Sequence, residues 1–273
     1  MDQIKVGFIG AGNMAASIIT GLLNRGLGAD CVFASDPDPE RLAMLGAQAP
    51  IQACEDNAAV AAAVDVLVLA VKPQAMDVAL AGLDAVVAGR QVVVLSIAAG
   101  ITLTSLEQRL GSDTAVVRSM PNTPALLGEG ASALFANAVT SAEQREQVAA
   151  VLGAVGTVCW LDSETLLDAV TAVSGSGPAY FFLLMEAMIA TGEKLGLDSE
   201  TCQQLVVQTA LGAARMAGES DVGLAELRRR VTSPGGTTAA ALHSFEKGGF
   251  GELVESAVRA AADRSRELSE EME

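Results

Sequence analysis

The sequence predicts an α/β protein in which a doubly wound, mostly parallel sheet is followed by an all-helical C-terminal domain. Up to about residue 160, short β-branched apolar segments alternate with Ala-rich helical segments. Beyond Asp162, strand patterns vanish and helical patterns follow one another. Alternating strands and helices indicate a parallel sheet with right-handed crossovers. We therefore expect one domain over residues 1–161 and a second over residues 162–273.

The strand segments are nearly continuous apolar runs, which is typical of parallel strands covered on both faces. They are KVGFIG (5–10), CVFAS (31–35), VDVLVLAV (64–71), QVVVLSIA (91–98) and TAVVRSM (114–120), and ASALFA (131–136) and GTVCWLD (156–162) are expected to extend the sheet. Helical patterns lie between them at 12–26, 38–46, 74–88 and 102–110, and a further helix begins near Ser141.

Composition and charge exclude some classes of partner. The chain has 273 residues, of which 51% are hydrophobic and 3% aromatic, which suffices for a packed core. Its 33 acidic and 17 basic residues give a formal net charge of -16. Nucleic acids and anionic membranes both require a basic surface, so we expect neither as a partner. An anionic ligand must instead be held by local dipoles and N–H groups.

The cysteines and the N-terminal segment indicate a cytoplasmic protein. The four cysteines, at positions 31, 54, 159 and 202, form no CxxC pair, so we expect neither a metal site nor a disulfide framework. The start MDQIKVGFIG lacks the charged region and long apolar stretch of a signal peptide. No run of about 18 uninterrupted apolar residues is present, so no membrane span is expected. Reduced thiols are the default in the cytoplasm.

One segment of the helical part is apolar enough to require burial against other residues. QLVVQTALGAARMA (204–217) is apolar nearly all round, which implies burial on every side. We expect a helical domain of this size to complete its core against a partner subunit, in an oligomer.

The segment GAGNMA (10–15) predicts a dinucleotide site. It directly follows the first strand and opens a helix. Gly10 permits the tight turn, Gly12 lets the backbone approach a pyrophosphate, and Ala15 still allows close contact between helix and strand. The pyrophosphate would lie at the helix N-terminus, where unpaired N–H groups and the helix dipole favour negative charge. The N-terminal domain is therefore expected to have the Rossmann fold.

Further candidates follow strand ends, which meet at the ligand crevice of such a sheet. Asp36 is either an acceptor for the ribose 2′-OH of NAD or a helix N-cap, while Ser35 and Arg41 would suit a 2′-phosphate. Lys72, in AVKPQ, would reach ribose or phosphate, or is a solvated lysine. The complete expected cofactor set is Gly10, Ala11, Gly12, Asn13, Met14, Ser35, Asp36, Asn57, Ala70, Val71, Lys72, Pro73, Ala98, Ala99 and Asn122.

The elbow TSPGGTT (232–238) interrupts the helical region just before a helix. It is either a plain loop or an anion cradle, in which successive N–H groups of Gly235, Gly236 and Thr237 would meet an anion and Ser233 would add a hydroxyl. The only histidine, His243, is interpreted as a packed or surface residue, and a Ser-His-Asp hydrolase is hard to build with it.

Several segments together carry a resemblance to a known family. GFIGAGNMA, LAVKPQ, SIAAG, MPNTP, DAVTAVSGSGPAY and VTSPGGTTAAALHSFE occur in this order. They resemble the pyrroline-5-carboxylate reductases over essentially the whole chain, and SGSGPAY and SPGGTT are specific to that family. The resemblance implies reduction of the cyclic imine 1-pyrroline-5-carboxylate to L-proline, the last step of proline biosynthesis, with NADPH as cofactor and NADH as the alternative. It also implies a homodimer, often assembled into rings of five dimers.

The same resemblance implies roles for individual residues. The elbow would hold the substrate carboxylate through Ser233, Gly235, Gly236 and Thr237, and Thr238 would meet the ring nitrogen. Thr238 would orient the ring or simply cap the helix, and it is the catalytic candidate. Glu164 would lie beside the substrate.

Two points remain open in that assignment. Ser176 is either a substrate contact or part of a plain kink between helices. Asp36 departs from the Ser, Asn or Thr that relatives often carry at this position.

Two rival functions fit the sequence less well. A 3-hydroxyacid dehydrogenase of the 6-phosphogluconate type requires a lysine one to two turns into the helix PAYFFLLMEAMIATGEK, which has none before Lys194. A regulatory protein that binds a dinucleotide would keep the Gly-rich turn but would not require the SPGGTT elbow.

Overall fold

The computed structural model describes residues 4–272 and divides into two compact units. The first combines the chain up to Ser176 with the segment that begins at Ala261, and the second is Gly177–Ala260. Residues 1–3 and 273, which the expected domain limits include, lie outside the described residues. The boundary at 161/162 stays a prediction.

The first unit is built on an eight-stranded sheet in the order β3-β2-β1-β4-β5-β6-β7-β8. All neighbouring strands are parallel except β6 and β7. The strands are β1 (Val6–Ile9), β2 (Val32–Ser35), β3 (Gln52–Ala53), β4 (Val66–Leu69), β5 (Val93–Ser96), β6 (Ala115–Met120), β7 (Gly130–Ala136) and β8 (Gly156–Trp160). The predicted fold class is confirmed, and the order of the first six strands is that of the Rossmann fold. Only the two-residue, exposed β3 was not predicted.

The strand register brings several strand ends to one edge. Ile9 pairs with both Ser35 and Leu69, and Leu69 pairs with Ser96. The carboxyl ends of β1, β2, β4 and β5 are therefore level. Whatever follows these strands in sequence lies at the same crevice.

Helices cover both faces of this sheet. Those of the first unit are α1 (Asn13–Asn24), α2 (Pro39–Gln48), α3 (Asn57–Ala63), α4 (Met76–Leu80), α5 (Leu83–Val87), α6 (Leu103–Leu110), α7 (Ala142–Gly153) and α8 (Leu166–Val170). The helix predicted over 74–88 is broken, because Gly82 between α4 and α5 adopts a left-handed φ of 75°. The capping box at Ser141 and Gln144 fixes the predicted start of α7.

The apolar core lies in two clusters, one on each sheet face. Phe8 of β1 belongs to the cluster under α1 and α7, while Ile9 belongs to the cluster under α3, α4, α5 and α6. Alternation along a strand produces this division, since successive side chains point to opposite faces. Gly7 allows α3 to lie directly on β1, because a Cβ atom there would be 2.5 Å from Val60 Cγ1.

The second unit is entirely helical. Its helices are α9 (Gly177–Lys194), α10 (Ser199–Glu219), α11 (Leu224–Arg230), α12 (Thr237–Lys247) and the first part of α13 (Phe250–Glu270). The burial expected all round residues 204–217 is absent from the single chain, where Leu205 is 55% exposed and Leu211 is 51% exposed. An apolar pattern predicts that a helix face is covered but not which chain covers it.

One helical run is long and apolar enough to cross a membrane. It extends over Leu166–Lys194, with a mean hydropathy of 1.2 in its most apolar window, of which 11% is buried within the chain. Phe181, Phe182 and Leu183 are among its exposed side chains. By length and composition alone, this run resembles both a membrane span and an uncovered subunit interface.

We expect Asn137→Ala to destabilise the first unit by about 3 kcal/mol, because it leaves buried partners without hydrogen bonds. The Asn137 side chain is 6% exposed, donates to the carbonyl of Thr114 and to Glu107, and accepts from Val116 N and Thr140 Oγ1. Urea unfolding at one fixed protein concentration measures the change. The exposed Asn24→Ala is the control and should shift stability by less than about 0.5 kcal/mol. Equal effects of the two substitutions would contradict the assignment.

Candidate functional site

The Gly-rich turn between β1 and α1 has the geometry that a pyrophosphate requires. Gly10 has φ 101° and donates its N–H to the Ser35 carbonyl, and a Cβ atom on it would lie 2.7 Å from the Ala70 oxygen. A Cβ atom on Gly12 would meet nothing within 4 Å, so its backbone borders open space. Ala15 is fully buried against the sheet, as expected.

The N-terminus of α1 carries no competing acceptor. Gly12 is the N-cap, makes no side-chain cap hydrogen bond, and no acidic residue lies in the first turn. The first helical N–H groups, which include those of Asn13 and Met14, therefore have no intrahelical partner. An anion is stabilised by these donors and by the helix dipole.

Ser35 and Asn57 form a fixed pair at the end of β2. The Ser35 hydroxyl donates to Asn57 Oδ1 at 2.7 Å, and Asn57 Nδ2 donates to the Ala79 carbonyl at 3.0 Å. Both residues line a cleft of about 420 Å³, together with Asp36 and Val71. The structure therefore brings these four predicted residues together.

Asp36 closes the Gly-rich turn and does not cap a helix. Its Oδ2 accepts the Ala11 N–H at 2.7 Å, and its Oδ1 accepts the Asp38 N–H at 2.9 Å. Asp38, not Asp36, is the N-cap of α2, since its carboxylate accepts the Glu40 N–H. The helix-cap interpretation of Asp36 is therefore wrong, because the cap lies two residues later.

Arg41 lies beside the turn in a second cleft of about 410 Å³, which Ala11, Gly12 and Asn13 also line. Its Nε is 3.3 Å from Asp38 Oδ2, and the side chain remains largely exposed. A guanidinium here places positive charge next to the uncapped start of α1. The arrangement can bind a phosphate in this cleft beside the start of α1.

The residues after β4 and β5 line the same edge of the sheet. Lys72 is exposed, and within residues 4–272 its ammonium makes no ion pair, which leaves it available to an anion. Ala70 bonds to β1 through its N–H, and Pro73 begins a short 3-10 turn. Ala98 is buried and Ala99 is exposed.

Asn122 has its side chain engaged within the protein. It donates to the Ser174 carbonyl at 3.0 Å, accepts the Ala131 N–H at 2.8 Å, and is 9% exposed. Ser174 belongs to a π-helical turn, Thr171–Gly175, which ends just before Ser176. Asn122 therefore ties the end of β6 to an irregular turn of the kind often found at functional sites.

Glu164 is also engaged within the first unit. Its Oε1 accepts the Leu103 N–H at 2.7 Å, at the start of α6, and forms an ion pair with Arg118. The Arg118 side chain is only 11% exposed. Sequence reasoning missed Arg118, whose signal was a single charged residue inside an apolar strand.

The elbow before α12 differs from the expected cradle by one donor. Gly236 is the N-cap of α12, and its N–H donates to the Ser233 carbonyl at 3.0 Å, so it is not available to an anion. This contradicts the expected role of the Gly236 N–H; the cause is a turn with Pro234 and Gly235 at its centre, where Gly235 has φ 69°.

The N–H groups that open α12 are the remaining donors of the elbow. Thr237 and Thr238 are the first residues of α12, which has neither a side-chain cap nor an acidic residue in its first turn. Their N–H groups are thus without an intrahelical partner. Within the described residues, the hydroxyls of Ser233, Thr237 and Thr238 make no hydrogen bond to protein. The elbow can bind a carboxylate.

Other titratable groups are poor candidates for catalysis. His243 is exposed on α12, as the surface interpretation predicts. Burial raises the pKa of the Cys54 thiol, and the Asp56 carboxylate raises it further, so this thiol stays protonated at neutral pH. No cluster of His, Cys, Asp and Glu that could hold a metal lies within residues 4–272.

Comparison with known families matches both parts of the chain. Residues 164–268 match the family model described as pyrroline-5-carboxylate reductase dimerisation. Residues 5–100 match the model described as NADP oxidoreductase, coenzyme F420-dependent.

Individual relatives cover the whole chain. A pyrroline-5-carboxylate reductase of Pseudomonas aeruginosa is 56% identical over 272 residues, which is 100% of this chain and 99% of the relative. A solved pyrroline-5-carboxylate reductase of Coxiella burnetii has a TM-score of 0.95 at 39% identity, over 98% of this chain and 99% of that one. A pyrroline carboxylate reductase of Plasmodium falciparum, solved with NADP bound, has a TM-score of 0.85 at 31% identity, over 98% and 99%.

We expect Glu164→Ala to lower the free energy of unfolding by about 3 kcal/mol, because it leaves the nearly buried Arg118 charge unpaired. Thermal and urea unfolding measure the change. Glu129→Ala, at an exposed position, is the matched control and should have an effect below about 0.5 kcal/mol. A Glu164→Ala chain as stable as wild type would show that the ion pair contributes nothing to the fold.

Proposed function

The chain belongs to the pyrroline-5-carboxylate reductase family, and on that premise we propose that it reduces 1-pyrroline-5-carboxylate to L-proline by hydride transfer from NADPH. This is the last step of proline biosynthesis. The observation that carries the proposal is a pair of uncapped helix N-termini, at Gly12 and at Gly236. Both can hold an anion in a chain whose net charge of -16 repels anions.

The first helix start suits the pyrophosphate of the cofactor. The donors are the N–H groups that open α1, and Gly10 and Gly12 allow close approach because neither carries a side chain. Ala70, Val71, Lys72 and Pro73 after β4, and Ala98 and Ala99 after β5, would border the same cofactor. When bound, NADPH supplies the hydride and thus the reducing chemistry.

Selection of NADPH is proposed to depend on Arg41, which provides a guanidinium next to the turn. The expected contact of Ser35 with a 2′-phosphate does not fit the structure, because Ser35 is buried and its hydroxyl hydrogen is donated to Asn57. The Asp36 carboxylate already accepts two backbone N–H groups, which directs its charge into the turn. NADH remains the weaker alternative cofactor under this proposal.

The second helix start suits the substrate carboxylate. We assign that contact to the N–H groups of Thr237 and Thr238 and to the Ser233 hydroxyl, with Gly235 shaping the turn. The Thr238 hydroxyl would then orient the ring nitrogen. Gly236 contributes by its small size, since a Cβ atom there would lie 3.1 Å from the Ser233 oxygen.

The reaction needs little side-chain chemistry from the protein. The protonated imine is an electrophile: its carbon, which is C2 of 1-pyrroline-5-carboxylate and C5 of proline, accepts the hydride, and the C=N π electrons pass to the nitrogen, which keeps its proton and becomes the amine of proline. The chain therefore has to position two reactants and orient charge. A histidine base is not required, which agrees with the exposed position of His243.

Self-association is proposed from the exposed apolar helices. α9 and α10 expose Phe181, Phe182, Leu205 and Leu211, and the family model that matches them is a dimerisation domain. We propose a homodimer, with a decamer as a further level of assembly. All four cysteines are free, which agrees with a reducing cytoplasmic location.

Thr238→Ala should lower kcat/KM for 1-pyrroline-5-carboxylate by about 10- to 100-fold, because the mutant loses one hydrogen bond to the reacting ring. Oxidation of NADPH and NADH followed by absorbance provides the measurement. Thr238→Ser keeps the hydroxyl and should recover most of the activity.

Two outcomes of this experiment have different meanings. Absence of turnover by the wild-type chain with either cofactor would refute the proposed reaction. Equal turnover by wild type and Thr238→Ala would leave the reaction intact and remove Thr238 from the site.

Arg41→Ala should raise KM for NADPH by about tenfold and leave KM for NADH nearly unchanged, because only NADPH carries the 2′-phosphate. Arg25→Ala is the matched control, since Arg25 is an exposed arginine that follows α1 at its other end. A similar rise for both cofactors would indicate a pyrophosphate contact and contradict a role in selection.

A further inference from the structure

The C-terminal part of α13 returns to the first unit. Residues from Ala261 onwards group with the sheet, although the helix begins at Phe250 in the second unit. Its contacts include two that the proposed reaction does not explain.

The first contact anchors the helix to α8. Ser265 is 8% exposed, and its hydroxyl donates to Asp168 Oδ1 at 2.7 Å. The two residues are 97 positions apart in sequence. A buried hydroxyl with one partner fixes the rotation of α13 about its own axis, so the residues one and two turns later face a defined direction.

The second contact covers the loop after β5. A Cβ atom built on Gly100 would lie 3.6 Å from both the Leu268 oxygen and Met272 Sδ, which is ordinary van der Waals distance. Met272 also packs, partly buried, against the core cluster that contains Ala98 and Ile101. The end of α13 is therefore in contact with the segment that follows β5.

The helix end is held in shape by charges of its own. Arg264 Nη1 lies 2.8 Å from Glu267 Oε2 and 2.9 Å from Glu271 Oε1, which spans two helical turns. The N–H groups of Glu271 and Met272 still donate to carbonyl groups one turn earlier, those of Glu267 and Ser269. Met272 is thus presented by an ordered turn.

The loop itself has few other supports. Ile97 N–H donates to the Leu69 carbonyl at its start, and Leu103 N–H donates to Glu164 at its end. Between these anchors, Ala99 and Gly100 make no backbone hydrogen bond to any described residue. Gly100 adopts φ 79°, a conformation that only glycine holds without strain. The buried side chains of Ala98 and Ile101, and the Ala98 N–H that donates to Ser96 Oγ, fix the loop on either side of this point. At Gly100 itself, the support is the contact with α13.

We propose that the end of α13, through Met272 and the Ser265 anchor, is a positioning element for the loop Ala98–Gly100 and thereby for the cofactor. The inference rests on the proposed function, since that function assigns Ala98 and Ala99 to the cofactor. Ser265 and Met272 act through the loop and touch neither reactant.

The test measures NADPH binding by the full-length enzyme. Met272→Ala and Ser265→Ala should raise both the Kd for NADPH, followed by nicotinamide fluorescence without substrate, and its KM by about three- to tenfold. The kcat and the KM for the imine should stay within about twofold of wild type. A general loss of folded protein would not raise the Kd and KM for NADPH while leaving kcat and the KM for the imine unchanged.

Matched variants separate positioning from other effects. Met272→Leu keeps the apolar contact and should bind NADPH like wild type. Ser269→Ala should do the same, because the Ser269 hydroxyl bonds only to the Ser265 carbonyl of its own helix.

Three results would overturn the inference. They are wild-type affinity in both Met272→Ala and Ser265→Ala, failure of Met272→Leu to recover affinity, and a parallel change of all kinetic parameters with Tm. A wild-type chain that does not bind NADPH would overturn the proposed function as well, so the two failures are distinguishable.

Discussion

The parallel register of β1 with its two neighbours is the constraint on which the proposed cofactor site depends. Because Ile9 is paired with both Ser35 and Leu69, the three strands β1, β2 and β4 end at the same level, at one edge of the sheet. The Gly-rich turn, the Ser35–Asp36 pair and the segment Ala70–Pro73 meet there for that reason alone. A one-residue shift of β2 would turn its side chains to the opposite face of the sheet, and the residues of the site would no longer lie together.

The charge of the chain makes local dipoles the basis of recognition. With a net charge of -16, the global field repels both NADPH and a carboxylate substrate. Under the proposed function, the helix starts at Gly12 and Gly236 overcome this repulsion locally, since each presents N–H groups without a side-chain cap. Side chains fill the N-caps of five other helices, at Asp38, Asp56, Thr102, Ser141 and Asp198, whereas α4, α5, α8 and α11 also lack a side-chain cap. The starts of α1 and α12 differ from those four by the glycine-rich turn that precedes each.

The second unit differs from the first in how its apolar residues are buried. Its helices are well formed, but their apolar residues are largely exposed in the single chain. Burial of each large apolar side chain is worth about 1.5–3 kcal/mol, so covering α9 and α10 would add substantially to stability. In the proposed homodimer, the second unit obtains from its partner the hydrophobic stabilisation that the first unit obtains from its own sheet.

The amino-acid sequence alone predicted seven of the eight strands, the Gly-rich turn and the fold class, because these follow from neighbours within a few positions. The tertiary structure decided how those residues are used. Asp36 closes the turn on Ala11, Glu164 pairs with Arg118, Asn122 holds Ser174, and Met272 lies against Gly100. Each of these contacts joins distant parts of the chain, and only the packing of helices onto the sheet brings such partners together. For the same reason, the apolar pattern predicted that the surface of α10 is buried. It did not predict that this surface is exposed in the single chain.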